Sequence, residues 1–391
     1  MAVLGSKTQS VINEIIWTTT TTWACNFDCR AIVTVIGAGG GGGAARNDAN
    51  GYSIMAAGGG AGGVAKSILT LASGTSYVAT CGAAGSAGVT SGDGAVSGGN
   101  GGNSTFGVSG ASVSLTGNGG SGGGAVQSQA TNSATGGSGG SASGGNIFNA
   151  TGGEGGDAAC TAFDSTGFHI CAGGGGAPGI FGLGHRGGDA LCETGGHTKM
   201  AAAGGAGVGG EGGDCTAGNG NSIELGAFGG SAFGKGESVS AAADRNSLGD
   251  ILSNNYNYNF QFRGMYPSVD QHYTWRSASH TAQGMSTSIF DGLIGTTSHY
   301  TQTQGIVTAG PGAGGTGIQQ GNAILYQGAY NVAGLFGGGG SAVQGYGSMG
   351  LYGAAGSVGA GGGGGATYSN SNPYGGAGGS GMVVVSILEY L

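Results

Sequence analysis

The stretch Ala31-Ile32-Val33-Thr34-Val35-Ile36-Gly37-Ala38-Gly39-Gly40-Gly41-Gly42-Gly43 sets a β-branched run directly against a glycine tract. Its first half predicts a buried strand over 31–36, because branched side chains pack well on a pleated surface. Its second half has almost no side chain to pack, so any order there must come from the backbone itself. Working outward, the junction recurs in mirror image at the far end, where Gly375 to Gly381 empties into Met382-Val383-Val384-Val385-Ser386-Ile387-Leu388. The two apolar runs are expected to pair. Further strands are expected over Val64 to Leu71, Ser76 to Cys81 and Ala111 to Leu115, giving a small antiparallel sheet built by the first third and the C-terminus.

Between these runs glycine dominates, filling 101 of 391 positions, with further tracts at 173–176, 337–340 and 361–365. Each ordered residue gives up about 1–2 kcal/mol of backbone entropy, and glycine more than the average. Such a composition is either disordered or held by close backbone packing. The 38% apolar and 7% charged content is the reverse of the disorder signature. Collagen needs glycine at every third position and abundant proline, whereas here glycines run consecutively and prolines number four. The remaining solution is a bundle of polyglycine II helices, left-handed threads of three residues per turn with no internal hydrogen bonds, whose amides and carbonyls bond laterally to neighbouring threads. The fold class is therefore mainly β and irregular: a small antiparallel sheet region plus a polyglycine II bundle with loop inserts.

Residues 1–16 read as an N-terminal arm or docking segment, and Val11, Ile12, Ile15 and Ile16 suit either one helical turn or a strand. Residues 17–391 form one glycine-rich domain. Its inserts at Gln127 to Thr135, Asp157 to Cys171 and His185 to Met200 read as loops. A longer insert at about 237–304 differs in kind, holding five glycines but nine of the chain's 29 aromatics.

A formal charge of -8 with ten scattered Lys and Arg offers no basic stripe for nucleic acid and no polybasic membrane patch. No apolar run approaches the length of a membrane span, and the N-terminus lacks the pattern of a signal peptide, so cytosolic synthesis and folding are expected. Seven irregularly spaced cysteines agree, and are expected to be reduced, mostly small buried apolar residues.

Motifs for chemistry are thin. Gly229-Gly230-Ser231-Ala232-Phe233-Gly234-Lys235-Gly236 nearly spells a phosphate loop but has Gly236 where a hydroxyl would hold Mg²⁺. His169, Cys171, His185, Asp189, Cys192, Glu193, His197 and Cys215 crowd metal-ligand types into one span, without Cys-x-x-Cys or His-x-x-x-His spacing, and read as loop residues rather than a metal centre. None of the six histidines stands in a nucleophile context. No enzyme, metal or cofactor is expected. The series Tyr256, Tyr258, Phe260, Phe262, Tyr266, Tyr273 and Trp275 is either one face of a packed strand or a recognition surface, since Tyr and Trp combine rigid contact area with polar tips. Tyr256, Tyr258, Tyr266, Tyr273 and Trp275 are the receptor-binding candidates.

Trp17 to Trp23 with its threonine run, the 31–43 junction, Gly59 to Leu71, Gly98 to Gly107 and Gly378 to Val385 together resemble the glycine-rich domain of bacteriophage tail fibre and receptor-binding proteins. The pattern departs from that family at Cys25-Asn26-Phe27-Asp28-Cys29, where a Pro-Gly turn is usual. The resemblance implies an adhesin at a fibre tip, with loops on a rigid glycine scaffold binding a host surface glycan or outer-membrane protein. It implies other tail or virion proteins as partners, a homo-oligomer with a trimer favoured, no nucleic acid, no membrane insertion, and a place in the virion tail after assembly in the host cytoplasm. The alternatives are a structural virion component such as a baseplate, collar or capsid decoration, or an extracellular glycine-rich matrix or receptor ectodomain.

Overall fold

The computed structural model describes residues 13–47, 52–161 apart from 112 and 131, 168–179, 183–192, 199–217, 335–344, 352–368 and 373–391, with short pieces between 227 and 240, at 314–315, at 318–320 and at 333. Among the described residues there is no helix, and the strands form five small sheets. A body of glycine threads lies between two β caps.

The terminal cap holds the N- and C-terminal strands. Its larger sheet runs in the order Asn13–Trp17, Met382–Tyr390, Cys29–Ile36, Val64–Leu71, Phe148–Ala150, antiparallel throughout. The expected pairing is present, with Met382 opposite Ile36 and Ile387 opposite Ala31. Residues 13–17 extend this sheet, so its edge strand crosses the boundary expected at 16/17. A second antiparallel sheet, from Ala142–Ser143 through Val113–Gly117, Ser104–Val108 and Ser76–Thr80 to Thr21–Ala24, packs against the first. Alternation from Cys29 to Val35 and from Met382 to Ile387 turns Ala31, Val33, Val35, Val383, Val385 and Ile387 into the core between the sheets. Phe106 is fully buried there and stacks on Tyr77 at 5.5 Å. Trp23 lies 5.8 Å from Trp17 and 5.9 Å from Tyr77, so the two tryptophans flanking the threonine run close one side of this core.

The threads explain where glycine's backbone groups go. Gly37, Gly40 and Gly43 donate to Gly63, Gly60 and Ala57 of one neighbour, Ala38 and Gly41 to Gly102 and Gly99 of a second, and Gly39 and Gly42 to Gly379 and Gly376 of a third. Their carbonyls accept in the same rhythm, Ala38 and Gly41 from Gly120 and Gly123, Gly39 and Gly42 from Gly85 and Gly88, Gly40 and Gly43 from Gly362 and Gly365. All thirteen bonds measure 2.8–3.0 Å, so one buried thread is satisfied by six neighbours with a repeat of three residues. Close approach demands the absence of side chains: a Cβ on Gly40 would run into the Ser121 carbonyl, and one on Gly363 into that of Gly340.

Threads at the surface obey a second rule. In Ser97-Gly98-Gly99-Asn100-Gly101-Gly102-Asn103 and Thr135-Gly136-Gly137-Ser138-Gly139-Gly140-Ser141, every third residue is polar and exposed while the glycines between face the body. Asn100 and Asn103 use their side-chain carbonyls to accept the Gly122 and Gly119 amides, both at 2.9 Å. A period of three is thus present in these outer threads, where consecutive glycines conceal it.

The distal cap corrects two expectations. The inserts read as loops contain strands, among them Ala158–Cys160, Phe168–Cys171, Ala190–Cys192 and Lys199–Ala202, and the sheet region is neither single nor wholly antiparallel. Ala158–Cys160, Ala190–Cys192, Cys215–Ala217 and Val239–Ser240 are parallel neighbours, as are Ser53–Ala56, Phe168–Cys171 and Lys199–Ala202. Thread direction is the reason. The first set continues threads running away from the terminal cap, the second feeds threads returning to it, and strands drawn from co-directional threads pair in parallel. A third sheet, from Ile318–Gln320 through Ala342–Gln344, Gly365–Tyr368 and Ala44–Asn47 to Gly94–Val96, completes the cap. Its core is small: alanines and the buried cysteines Cys160, Cys192 and Cys215 surround Phe168 and Ile170.

Candidate functional site

The side chains that could recognise anything stand on surface threads and at the distal edge, because the body between offers only backbone. Three successive outward threads carry a charged residue followed by Gly-Gly-Asp, in Glu154-Gly155-Gly156-Asp157, Arg186-Gly187-Gly188-Asp189 and Glu211-Gly212-Gly213-Asp214, and a fourth carries Lys235 and Ser238 at the equivalent places. Three-residue spacing puts all of these on one wall. The second row forms a ladder in which each backbone amide donates to the next side chain: Gly136 to Asp157 Oδ1 at 2.6 Å, Asp157 to Asp189 Oδ1 at 2.7 Å, Asp189 to Asp214 Oδ1 at 2.9 Å, and Asp214 to Ser238 Oγ at 3.0 Å.

The first row alternates in sign, acid at 154 and 211 and base at 186 and 235, so each base stands among carboxylates of both rows. Arg186 pairs with Asp157, Asp189 and Glu154; Lys235 pairs with Asp214 and Glu211. Burial opposes charge at both Arg186 and Asp189. At Arg186 the surrounding carboxylates outweigh it and the guanidinium holds its proton more tightly than usual, whereas at Asp189 burial prevails over Arg186 and the carboxyl is pushed up. The amide ladder ties neighbouring threads together, and these half-exposed ion pairs add little to it.

The ligand-type residues read as loop residues are dispersed, several of them on strands. His169 and Cys171 are buried in the strand Phe168–Cys171, Cys192 and Cys215 lie in the alanine-rich core, Asp189 belongs to the ladder, and His185 sits on a thread, where its carbonyl accepts the Gly176 amide. Glu193 and His197 lie outside the described residues. Among the described residues no group of three or more His, Cys, Asp or Glu could hold a metal ion. All seven cysteines are free thiols, six of them buried. Burial pushes Cys171 up, and takes Cys215 to about 12 and Cys29, beside Cys25, to about 11.

Tyr256, Tyr258, Tyr266, Tyr273 and Trp275 lie outside the described residues, as do Gly234 and the residues Ser231 to Phe233 of the near-phosphate loop. The start of that insert is placed: Val239–Ser240 is the edge strand of a distal sheet. At the same end Tyr352 and Tyr374 meet with ring centroids 4.8 Å apart, and Tyr374 is bridged to both Tyr352 and Val89. Tyr352 and Val89 are exposed. Sequence reasoning passed over this pair because single tyrosines next to glycine carry no periodic signal.

Backbone-bonded glycine threads capped by short β-strands define a glycine-rich domain. The chain belongs to the glycine-rich domain family, whose sequence model matches residues 16–234. Comparison with curated proteins gives no match.

Proposed function

We propose that the chain is a bacteriophage tail fibre or fibre-tip adhesin that binds a host surface glycan or outer-membrane protein through its distal end. Its threads are read as polyglycine II helices, a reading supported by the three-residue repeat of donors and acceptors around Gly37 to Gly43. The observation that carries the functional reading is polarity. The N- and C-terminal strands sit in one cap, while Val239–Ser240, where the aromatic insert begins, lies in the other, at the end that also carries the exposed Tyr352 and the half-buried Tyr374. A fibre component held through its terminal cap presents that opposite end to the host. Recognition falls to Tyr256, Tyr258, Tyr266, Tyr273 and Trp275, because a few aromatic anchors carry most of a binding energy and the glycine body supplies none. The protein binds without catalysis, metal or cofactor, and works in the virion tail with other tail proteins.

The test is adsorption of phage particles carrying Tyr273→Ala with Trp275→Ala. A fall of tenfold or more, about 1.4 kcal/mol or above, with normal particle assembly is expected. Unchanged adsorption by intact particles removes this pair as the anchor. If removal of residues 241–313 also leaves adsorption unchanged, the chain is a structural virion component.

A further inference from the structure

The larger sheet of the terminal cap buries one face against its partner sheet, and its opposite face lies outside every buried cluster of the described residues. The register sets Ile16, Val384, Thr34, Lys66 and Phe148 in a row across that face, with Glu14, Ile32 and Ile68 in the next row. Ile16 is 53% exposed and Phe148 36% exposed, beside Ile147 at 45%. Between these two edges Val384, Ile32 and Ile68 are partly exposed, and contiguous exposed apolar surface marks an interaction site.

Its charges are segregated. The acids Glu14 and Glu389 stand on the N- and C-terminal strands, and the bases Arg30 and Lys66 on the next two strands across. Arg30 and Glu389 meet within the chain at 3.7 Å, both half-exposed. Glu14 accepts the Ser386 hydroxyl at 2.9 Å, and neither it nor Lys66 makes an ion pair among the described residues.

We propose that this face is a two-fold interface between two copies of the chain. An acidic half beside a basic half is self-complementary when a two-fold axis runs along the strands between Met382–Tyr390 and Cys29–Ile36. That operation lays the N-terminal strand of one copy over Val64–Leu71 of the other, with Ile16 over Lys66 and Glu14 over Ile68, two residues along the strand from Lys66, and it lays Glu389 over the second copy's Arg30. Ile32 and Val384, on the two strands that flank the axis, each adjoin their own counterpart across it. Strand spacing and length give a footprint on the order of 500 Å² per copy, at the low end for a specific interface, so the dimer is weak and concentration-dependent. It takes the place of the trimer implied by the resemblance, and does not depend on the receptor-binding reading.

Sedimentation equilibrium of the purified full chain tests it. The expected result is a monomer–dimer equilibrium with a dissociation constant on the order of 10 µM. Ile32→Arg abolishes it, Glu14→Lys weakens it about tenfold, and Glu14→Lys with Lys66→Glu restores it. Near-UV circular dichroism checks that Ile32→Arg folds; Glu14 is exposed, so its variants decide the matter if Ile32→Arg does not. A wild-type monomer at about 100 µM, ten times the expected constant, overturns the proposal. So does a trimer, a dimer indifferent to Glu14→Lys, or a double variant that stays as weak as the single one.

Discussion

The terminal cap and the glycine body solve the same problem by opposite means. In the cap, backbone bonds run between neighbouring strands and stability comes from side chains: Phe106, Leu115, Val33 and Ile387 are removed from water between two sheets. In the body there is almost nothing to remove from water, and each buried thread is held by backbone bonds to up to six neighbours. A large side chain is therefore the asset of one region and the fault of the other. A backbone lattice tolerates no local repair, because a thread displaced at one point breaks bonds on several sides at once.

The sharpest way to break the comparison is Gly363→Val. The Cβ meets the Gly340 carbonyl, and moving aside disrupts the bond Gly363 donates to Ala354 and the one it accepts from Gly376. Each amide left unpaired costs about 1–3 kcal/mol, so a loss of about 5 kcal/mol or failure to fold is expected. Ser138→Val, on an outer thread where the position is exposed, should change stability by less than about 0.5 kcal/mol. Urea unfolding monitored by tryptophan fluorescence measures both, and a Gly363→Val protein within about 0.5 kcal/mol of the parent would sink the close-packing account.

The cap should answer in the ordinary currency of cores. Phe106→Ala removes a fully buried ring stacked on Tyr77 and should cost about 3–5 kcal/mol, with unfolding still cooperative. If Phe106→Ala cost less than Ser138→Val, the division of labour between the two regions would be wrong.

The same contrast decides how much was legible in the sequence. Strands at 31–36, 64–71 and 382–388 could be read because branched side chains announce them, and the mirrored glycine junctions of the first and last gave their pairing. The distal strands could not, since Ala158-Ala159-Cys160 or Ala201-Ala202 present no periodic apolar signal, and their parallel order depends on thread direction. The outer-thread period was hidden by a search for unbroken Gly-X-Y. Gly-Gly-Asp at 155–157, 187–189 and 212–214 is a visible repeat, yet of its acids only Asp189 drew attention, as a ligand type, when all three are rungs of a ladder. The receptor-binding candidates, chosen on the insert's aromatic composition, fall outside the described residues.

The thiols extend the comparison to both caps. Burial raises Cys29 to about 11 and Cys215 to about 12, against an ordinary value of 9.0, so between these limits the folded state keeps protons that the unfolded chain has lost. Stability is unaffected by these groups below pH 9 and falls as pH rises above it, by about 1.4 kcal/mol per pH unit for each such thiol. Urea midpoints at pH 8, 9 and 10 measure the slope. It should shrink by one thiol's share in Cys215→Ala, and an unchanged slope would mean that Cys215 does not titrate with unfolding.

The smallest effect is expected on the charged wall. Arg186→Ala leaves Asp157 and Asp189 without their shared cation, but both carboxylates keep an amide donor, from Gly136 and Asp157 respectively, and both are partly exposed to water. Exposed ion pairs contribute about 0–1 kcal/mol, so the loss should be about 1 kcal/mol at low salt and should fade at molar salt, where the screening length drops to about 3 Å. Asp189→Ala should cost more than Arg186→Ala and respond less to salt, because it removes the acceptor that ties one thread's amide to the next. Urea midpoints for the two variants at low and high salt make the distinction. Equal losses with equal salt dependence would mean that charge neutralisation, and not the amide ladder, holds these threads in register.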